Sequence, residues 1–186
     1  MCGRLAQQSK NIMANRIEAM LTHERLCELL HYSPYDGTWT WIKPTHKGRP
    51  QVGTIAGTIA HICGKSYRYI GIDNQRYKAA RLAIFYMTKK WPESEVTFRD
   101  FNSLNDTYTN LRQASRSQTI AGSKLRVDNT SGFKGVSFNE RIGRYEAYIK
   151  QNYKKLHLGW FKDPKVAHEK VAKAGKQLFG DFARAS

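Results

Sequence analysis

From Gly132 onward the apolar and polar positions alternate with little interruption. Residues 133–138, 144–150 and 153–161 each read as a strand, with turns at 139–143 and 151–152. Asp163 then offers an N-cap and Pro164 a first helical position. Ala167, Val171, Ala174 and Leu178 follow at spacings of 4, 3 and 4, one face of an amphipathic helix that Gly180 stops. Three short antiparallel strands covered by one helix make a small α+β unit.

The N-terminal part alternates less cleanly. Thr22 reads as a helix cap, Glu24 favours the positive helix end, and Leu21 is placed to staple onto Leu26. Leu26, Leu29 and Leu30 make the buried stripe, and residues 33–37 (Ser-Pro-Tyr-Asp-Gly) end the helix in a turn. A strand is predicted over 38–42 and a loop over 43–57, with Lys47-Gly48-Arg49-Pro50 inside it. Residues 66–72 and 76–79 read as a hairpin turning at Asp73-Asn74-Gln75. Residues 80–90 read as a helix that Trp91-Pro92 ends. Residues 93–112 are rich in Asn, Asp, Ser and Thr and read as a functional loop; residues 113–131 hold the linker, with a boundary near Gly122.

Charge changes the picture more than composition does. The chain of 186 residues has 31 Lys and Arg against 15 Asp and Glu, a formal net charge of +16 and a pI near 9.9. Residues 1–122 carry 17 basic and 9 acidic side chains, and residues 123–186 carry 14 and 6, so the excess is not a tail. A polyanion partner, most simply double-stranded DNA, is the expectation for both halves. Three scattered cysteines, Cys2, Cys27 and Cys63, form no CxxC pair and argue against a disulfide scaffold or a Cys-based zinc site. With no apolar signal core and no spanning segment, the expectation is a cytoplasmic protein without a membrane partner.

The C-terminal motifs also resemble a family. The run from Asn129 through Ser131-Gly132-Phe133-Lys134-Gly135-Val136 to Phe138 looks like the opening strand of AP2 domains. Gly143-Arg144-Tyr145-Glu146-Ala147-Tyr148-Ile149-Lys150, Lys155 to Phe161, the Ala-rich helix and Leu178-Phe179-Gly180-Asp181-Phe182 continue the resemblance in order. It implies a sheet that enters the major groove and touches bases and phosphates from its exposed face. Carried over by position, that face holds Lys134, Ser137, Arg144, Tyr148, Lys150, Lys155 and His157. Lys134, Lys155 and His157 stand where plant members use mostly Arg and Trp, and lysine reads guanine less rigidly than the Arg fork.

Residues 21–120 resemble the HNH homing endonucleases, often found in bacteriophages, that carry an AP2 domain behind the nuclease. The resemblance rests on Leu21-Thr22, Leu29-Leu30-His31-Tyr32, Gly37 to Trp41, Gly53 to Gly57, Arg81-Leu82-Ala83, Trp91-Pro92 and Asn105 to Arg112. It implies an α+β chain with an N-terminal extension (1–20), an HNH-like scaffold of the ββα-metal type (21–120), a linker (121–131) and an AP2-like domain (132–186).

Such an enzyme needs a divalent ion on the scissile phosphate and a neutral His as general base. The family's Asp-His or Asn-His pair falls here on Thr97-Phe98, the His that precedes its Arg-Leu pair on Ala80, and its last Asn ligand on or near Thr119. Only Asn110 keeps its catalytic-motif position. Asp100, Asn102 and Asn105 remain as candidate oxygen ligands in a shifted loop, and His61 is the sole histidine between Pro50 and His157. The expectation is a DNA-binding protein on a homing-endonuclease scaffold with impaired or lost cleavage, needing no cofactor. The alternatives are an active nicking enzyme using Mg²⁺ or Mn²⁺ through replacement ligands, and a regulatory protein that binds a protein partner.

Overall fold

The computed structural model describes residues 20–43, 50–62, 64–126 and 128–184. The N-terminal extension up to residue 19, His46 with the Lys47–Arg49 stretch, Cys2 and Cys63 lie outside the described residues. The fold is mixed α+β with several small sheets, and the chain divides into two compact units, residues 1–113 and 114–186.

In the first unit, Thr22 takes extended backbone angles and its Oγ1 accepts from Arg25 N at 3.2 Å, starting helix α1 (His23–Leu29). Leu30 is already extended, so the helix passes directly into strand β1 (Leu30–Tyr32). This strand pairs antiparallel with β2 (Trp39–Trp41), Leu30 opposite Trp41 and Tyr32 opposite Trp39. Leu26, Leu29, Leu30, Tyr32 and Trp39 are fully buried, as the stripe in α1 anticipates. Each such side chain adds roughly 1.5–3 kcal/mol of apolar burial.

The second sheet orders β3 (Thr58–Ile62), β4 (Lys65–Ile72) and β5 (Gln75–Lys78), all antiparallel. Asp73 and Asn74 both have positive φ, the backbone a tight two-residue hairpin turn requires. Strand β3 was not expected: it is exposed at four of its five positions, so it carries no alternation to read. Helix α2 (Ala79–Thr88) follows and buries Leu82, Ala83, Ile84 and Phe85. The Arg81 guanidinium donates to the carbonyls of Pro92 and Ser94, and Trp91 stacks on Phe85, fixing the exit from the helix.

Residues 93–112 are more regular than expected. Strands β6 (Glu95–Phe98) and β7 (Leu111–Ala114) pair, and between them runs a loop closed by a 3₁₀ turn at Tyr108–Asn110.

The second unit begins inside the expected linker. Ser115 and Gln118 form a reciprocal capping box for helix α3 (Arg116–Ala121). Asn152 N donates to Ser117 Oγ at 3.0 Å, and Ala121 packs against the unit's core. The boundary therefore falls at Ala114, earlier than Gly122, because these contacts bind α3 to the C-terminal sheet. That sheet has β9 (Arg144–Gln151) between β8 (Val136–Asn139) and β10 (Lys154–Phe161), all antiparallel.

Helix α4 (Pro164–Phe179) is capped by Asp163 and covers one face of the sheet. Its buried residues are Ala167, Val171, Gly175 and Phe179, climbing in steps of four; Leu178, expected inside, is 38% exposed. Successive fours drift around the helix axis, so the contact row leaves the 174/178 edge and ends on Phe179.

Candidate nucleic-acid interface

The pleat of β9 sorts the second unit's chemistry. Ala147 and Ile149 are buried with Val136 beneath α4, so Arg144, Glu146, Tyr148 and Lys150 project from the opposite, open face. Cross-strand pairing places Ser137 opposite Glu146 on β8, and His157, Lys155 and Trp160 opposite Tyr148, Lys150 and Glu146 on β10. A register shift between His157 and Gly159 keeps His157 and Trp160 on the same side. Six of the seven side chains expected to touch DNA thus share one face: Ser137, Arg144, Tyr148, Lys150, Lys155 and His157. Arg144, Lys150, Lys155 and His157 are exposed.

Lys134 does not belong to that face. Strand β8 starts at Val136 because Gly135, with φ +73°, breaks the pleat that residues 133–138 were expected to share. A Cβ there would lie 2.7 Å from the Tyr148 carbonyl oxygen and 2.8 Å from Val171, so the position is reserved for glycine. The Lys134 ammonium donates to the carbonyls of Ile120, Ala121 and Ser123, at 3.0, 2.6 and 2.8 Å. It closes the C-terminal end of α3, a structural task.

Two residues of the face escaped the sequence reading, Glu146 and Trp160. Lys155 Nζ lies 2.7 Å from the Glu146 carboxylate and His157 Nδ1 lies 3.2 Å from it. The Lys155 ammonium, against the penalty of partial burial and with help from His157, holds the Glu146 carboxyl below its ordinary range. Lys155 also sits 4.4 Å from the Tyr148 ring centroid, and the His157 and Trp160 rings lie 5.2 Å apart. The only signal for Glu146 was its parity with Arg144 and Lys150 on one strand.

In the first unit, Asn110 is buried and organises the loop between β6 and β7. Its Nδ2 donates to Asp100 Oδ1 at 3.0 Å and to the Asn105 carbonyl at 2.8 Å, and its Oδ1 accepts from Asp100 N. Asp100 further accepts from Asn102 N at 2.8 Å and from Asn105 Nδ2 at 2.7 Å. Of the candidate oxygen ligands, Asp100 and Asn105 converge on Asn110 while the Asn102 side chain accepts from Leu104 N, and all three bind one another or the backbone. Burial alone would raise the Asp100 pKa; the hydrogen bonds from Asn105, Asn102 and Asn110 outweigh it and hold the carboxyl low. Among the described residues, no three His, Cys, Asp or Glu side chains are grouped as a metal site would require.

Phe98 points into the core with Leu111, and Ala80 is buried in α2. Thr97 Oγ1 faces the Arg112 carbonyl, and Thr119 Oγ1 donates to the Ser115 carbonyl within α3. His61, in β3, is exposed and its Nδ1 lies 2.8 Å from Ser66 Oγ; the Ser66 carbonyl accepts from Ser103 of the Asn110 loop at 2.6 Å.

The same loop holds an unforeseen acid. Asp106 is 2% exposed, and burial pushes its carboxyl up to about 7 against the pull of Arg68. Arg68 Nε stands 3.3 Å from Asp106 Oδ2, yet neither atom makes an aligned hydrogen bond.

No protein-family model, curated protein or solved structure matches this chain. Among the described residues, no helix is long and apolar enough to cross a membrane.

Proposed function

We propose that the chain binds double-stranded DNA by seating the open face of the β8–β9–β10 sheet in the major groove. The observation that carries this reading is the clustering of Arg144, Tyr148, Lys150, Lys155 and His157 on a sheet face that α4 leaves uncovered. A major groove is wide enough for such a sheet edge or ribbon, and basic side chains at its margins meet phosphates. The AP2-like motifs support the same reading, and the net charge of +16 favours a polyanion over an uncharged partner.

For the first unit, we infer an HNH-like scaffold that has lost its general base. Strand β6, the Asn-rich loop and β7 follow in the order of the two strands of a ββα-metal motif, and the resemblance assigns that motif's asparagine to Asn110. Phe98, in place of the histidine, accepts no proton and faces the core. Loss of a general base alone slows hydrolysis by roughly 10²–10⁴-fold.

One experiment tests both parts. Stoichiometric protein is added to supercoiled plasmid with Mg²⁺ or Mn²⁺ and run on a native gel. Retardation without nicked product is the expected result. Absence of retardation at low salt would refute the DNA-binding reading, and weak, salt-independent association would favour a regulatory role toward a protein partner. A second reading, an active nicking enzyme, has the His61–Ser66–Ser103 connection in its favour, since it ties an exposed imidazole to the strand that receives the Asn110 loop. Metal-dependent nicking that His61→Ala abolishes would establish it.

A further inference from the structure

We propose that Glu146 is the specificity-determining residue of the open face, accepting a hydrogen bond from the exocyclic amine of cytosine or adenine in the major groove. The inference rests on the DNA-binding reading above. It starts from an oddity of that face: its one acid occupies the central position. Glu146 lies on the middle strand, with Ser137 beside it on β8 and Trp160 beside it on β10. Arg144 and Lys150 stand toward the two ends of the strand, and Lys155, paired with Lys150 by backbone, turns its ammonium back onto Glu146 at 2.7 Å.

Arg144 and Lys150 lie six positions apart, about 20 Å along an extended chain, and a B-DNA major groove is about 12 Å wide. A face of that length reaches both phosphate rims with its ends while its middle faces the base edges. A carboxylate in the middle is repelled by phosphates and only accepts hydrogen bonds. In the major groove the available donors are cytosine N4 and adenine N6; guanine O6 and N7 and thymine O4 are acceptors and reject it. The carboxylate is thus set where it discriminates among bases on the strand it reaches. Lys155 and His157 engage both carboxylate oxygens and fix its orientation, and each oxygen keeps a second lone pair on a side chain that stays 16% exposed.

The competing role is structural, in which Glu146 only props Lys155 and His157 for phosphate contact. Two variants of the full chain separate the roles. Glu146→Gln keeps the shape and an acceptor for Lys155 while removing the charge, and Glu146→Ala removes both. Each is carried through selection from a randomised duplex pool, and through anisotropy titration against the unselected pool at several salt concentrations. The wild type is expected to enrich cytosine or adenine at one position by about fivefold or more. Glu146→Ala should lose that enrichment, Glu146→Gln should lose cytosine and keep only adenine, whose N6 and N7 an amide meets together, and both should bind the unselected pool more tightly.

If the variants bind the pool more weakly, Glu146 is a prop and the inference fails. It fails too if enrichment persists in both variants, or if the wild type binds duplex in a salt-dependent way but enriches no base. If the wild type binds no duplex at all, the DNA-binding reading itself has failed.

Discussion

Asp106 makes a quantitative demand on the first unit. Its carboxyl is nearly inaccessible, one oxygen lacks an aligned donor, and its pKa stands at about 7 against an ordinary 3.8. A carboxyl whose pKa is raised in the fold holds its proton where the unfolded chain has released it. Stability must then fall as pH rises between about 4 and about 7, and level off above that. The full difference is about 4 kcal/mol, with a slope of at most about 1.4 kcal/mol per pH unit.

Asp36, Asp100 and Glu28 have the opposite sign. Their pKa values are lowered, so the stability they lend is lost only as pH falls below the ordinary carboxylate range. From about 4.5 to about 7 the Asp106 slope is therefore not opposed by theirs, and the difference between the parent and Asp106→Asn isolates it. Urea melts at constant ionic strength, in a Trp160→Phe background, let Trp39, Trp41 and Trp91 report the first unit alone. The parent should lose stability across the window relative to Asp106→Asn, which is neutral at that position at every pH. A flat parent profile, or an unchanged slope in the variant, would show that Asp106 ionises without penalty and refute the argument.

Lys134→Ala should destabilise the second unit by about 1–3 kcal/mol, through the removal of three charge-assisted bonds to carbonyls, in thermal melts read at Trp160. It should leave the salt slope of DNA binding unchanged. Replacing Arg144, Lys150 and Lys155 together with Ala should weaken binding to a random duplex. The slope of log K against log salt, read by anisotropy, should shrink by about 0.9 for each phosphate left without its cation. Gly37→Ala should cost the first unit at least about 2 kcal/mol in urea melts. Gly37 has φ +73°, and an added Cβ would lie 2.5 Å from the backbone of Asp106 and Thr107.

These variants also mark where the sequence was legible. Features written in neighbouring residues came through: the Thr22 and Asp163 caps, the Asp73-Asn74 turn, and the alternation of β9 that puts Arg144, Tyr148 and Lys150 on one side. Positions decided by distant partners did not. Lys134 read as a strand residue because its destination, the end of α3, is set by a turn at Gly135 that the apolar pattern conceals. Helix α3 itself read as linker because six polar-rich residues show no stripe; its place comes from the capping box, Lys134 and Asn152. Asp106 read as one more polar residue in a loop. Its burial follows from the docking of that loop on the β1–β2 turn, where Tyr32 Oη donates to the Asp106 carbonyl at 2.6 Å and Tyr108 N to the Pro34 carbonyl at 3.0 Å.

That contrast bears on how the two units divide the work. In the first, the residues at the HNH-like positions are occupied in holding the fold: Phe98 in the core, Asn110 and Asp100 bonded to each other, Arg81 on the carbonyls beyond α2. In the second, Lys155 meets Glu146 and the Tyr148 ring on the open face, while Arg144 and Lys150 are exposed to solvent. A cleavage centre requires groups poised for an incoming phosphate, and a binding face requires groups at the surface. On the proposed reading, the second unit meets the requirement of a binding face and the HNH-like positions of the first serve stability, so retardation of duplex without cleavage is the outcome expected.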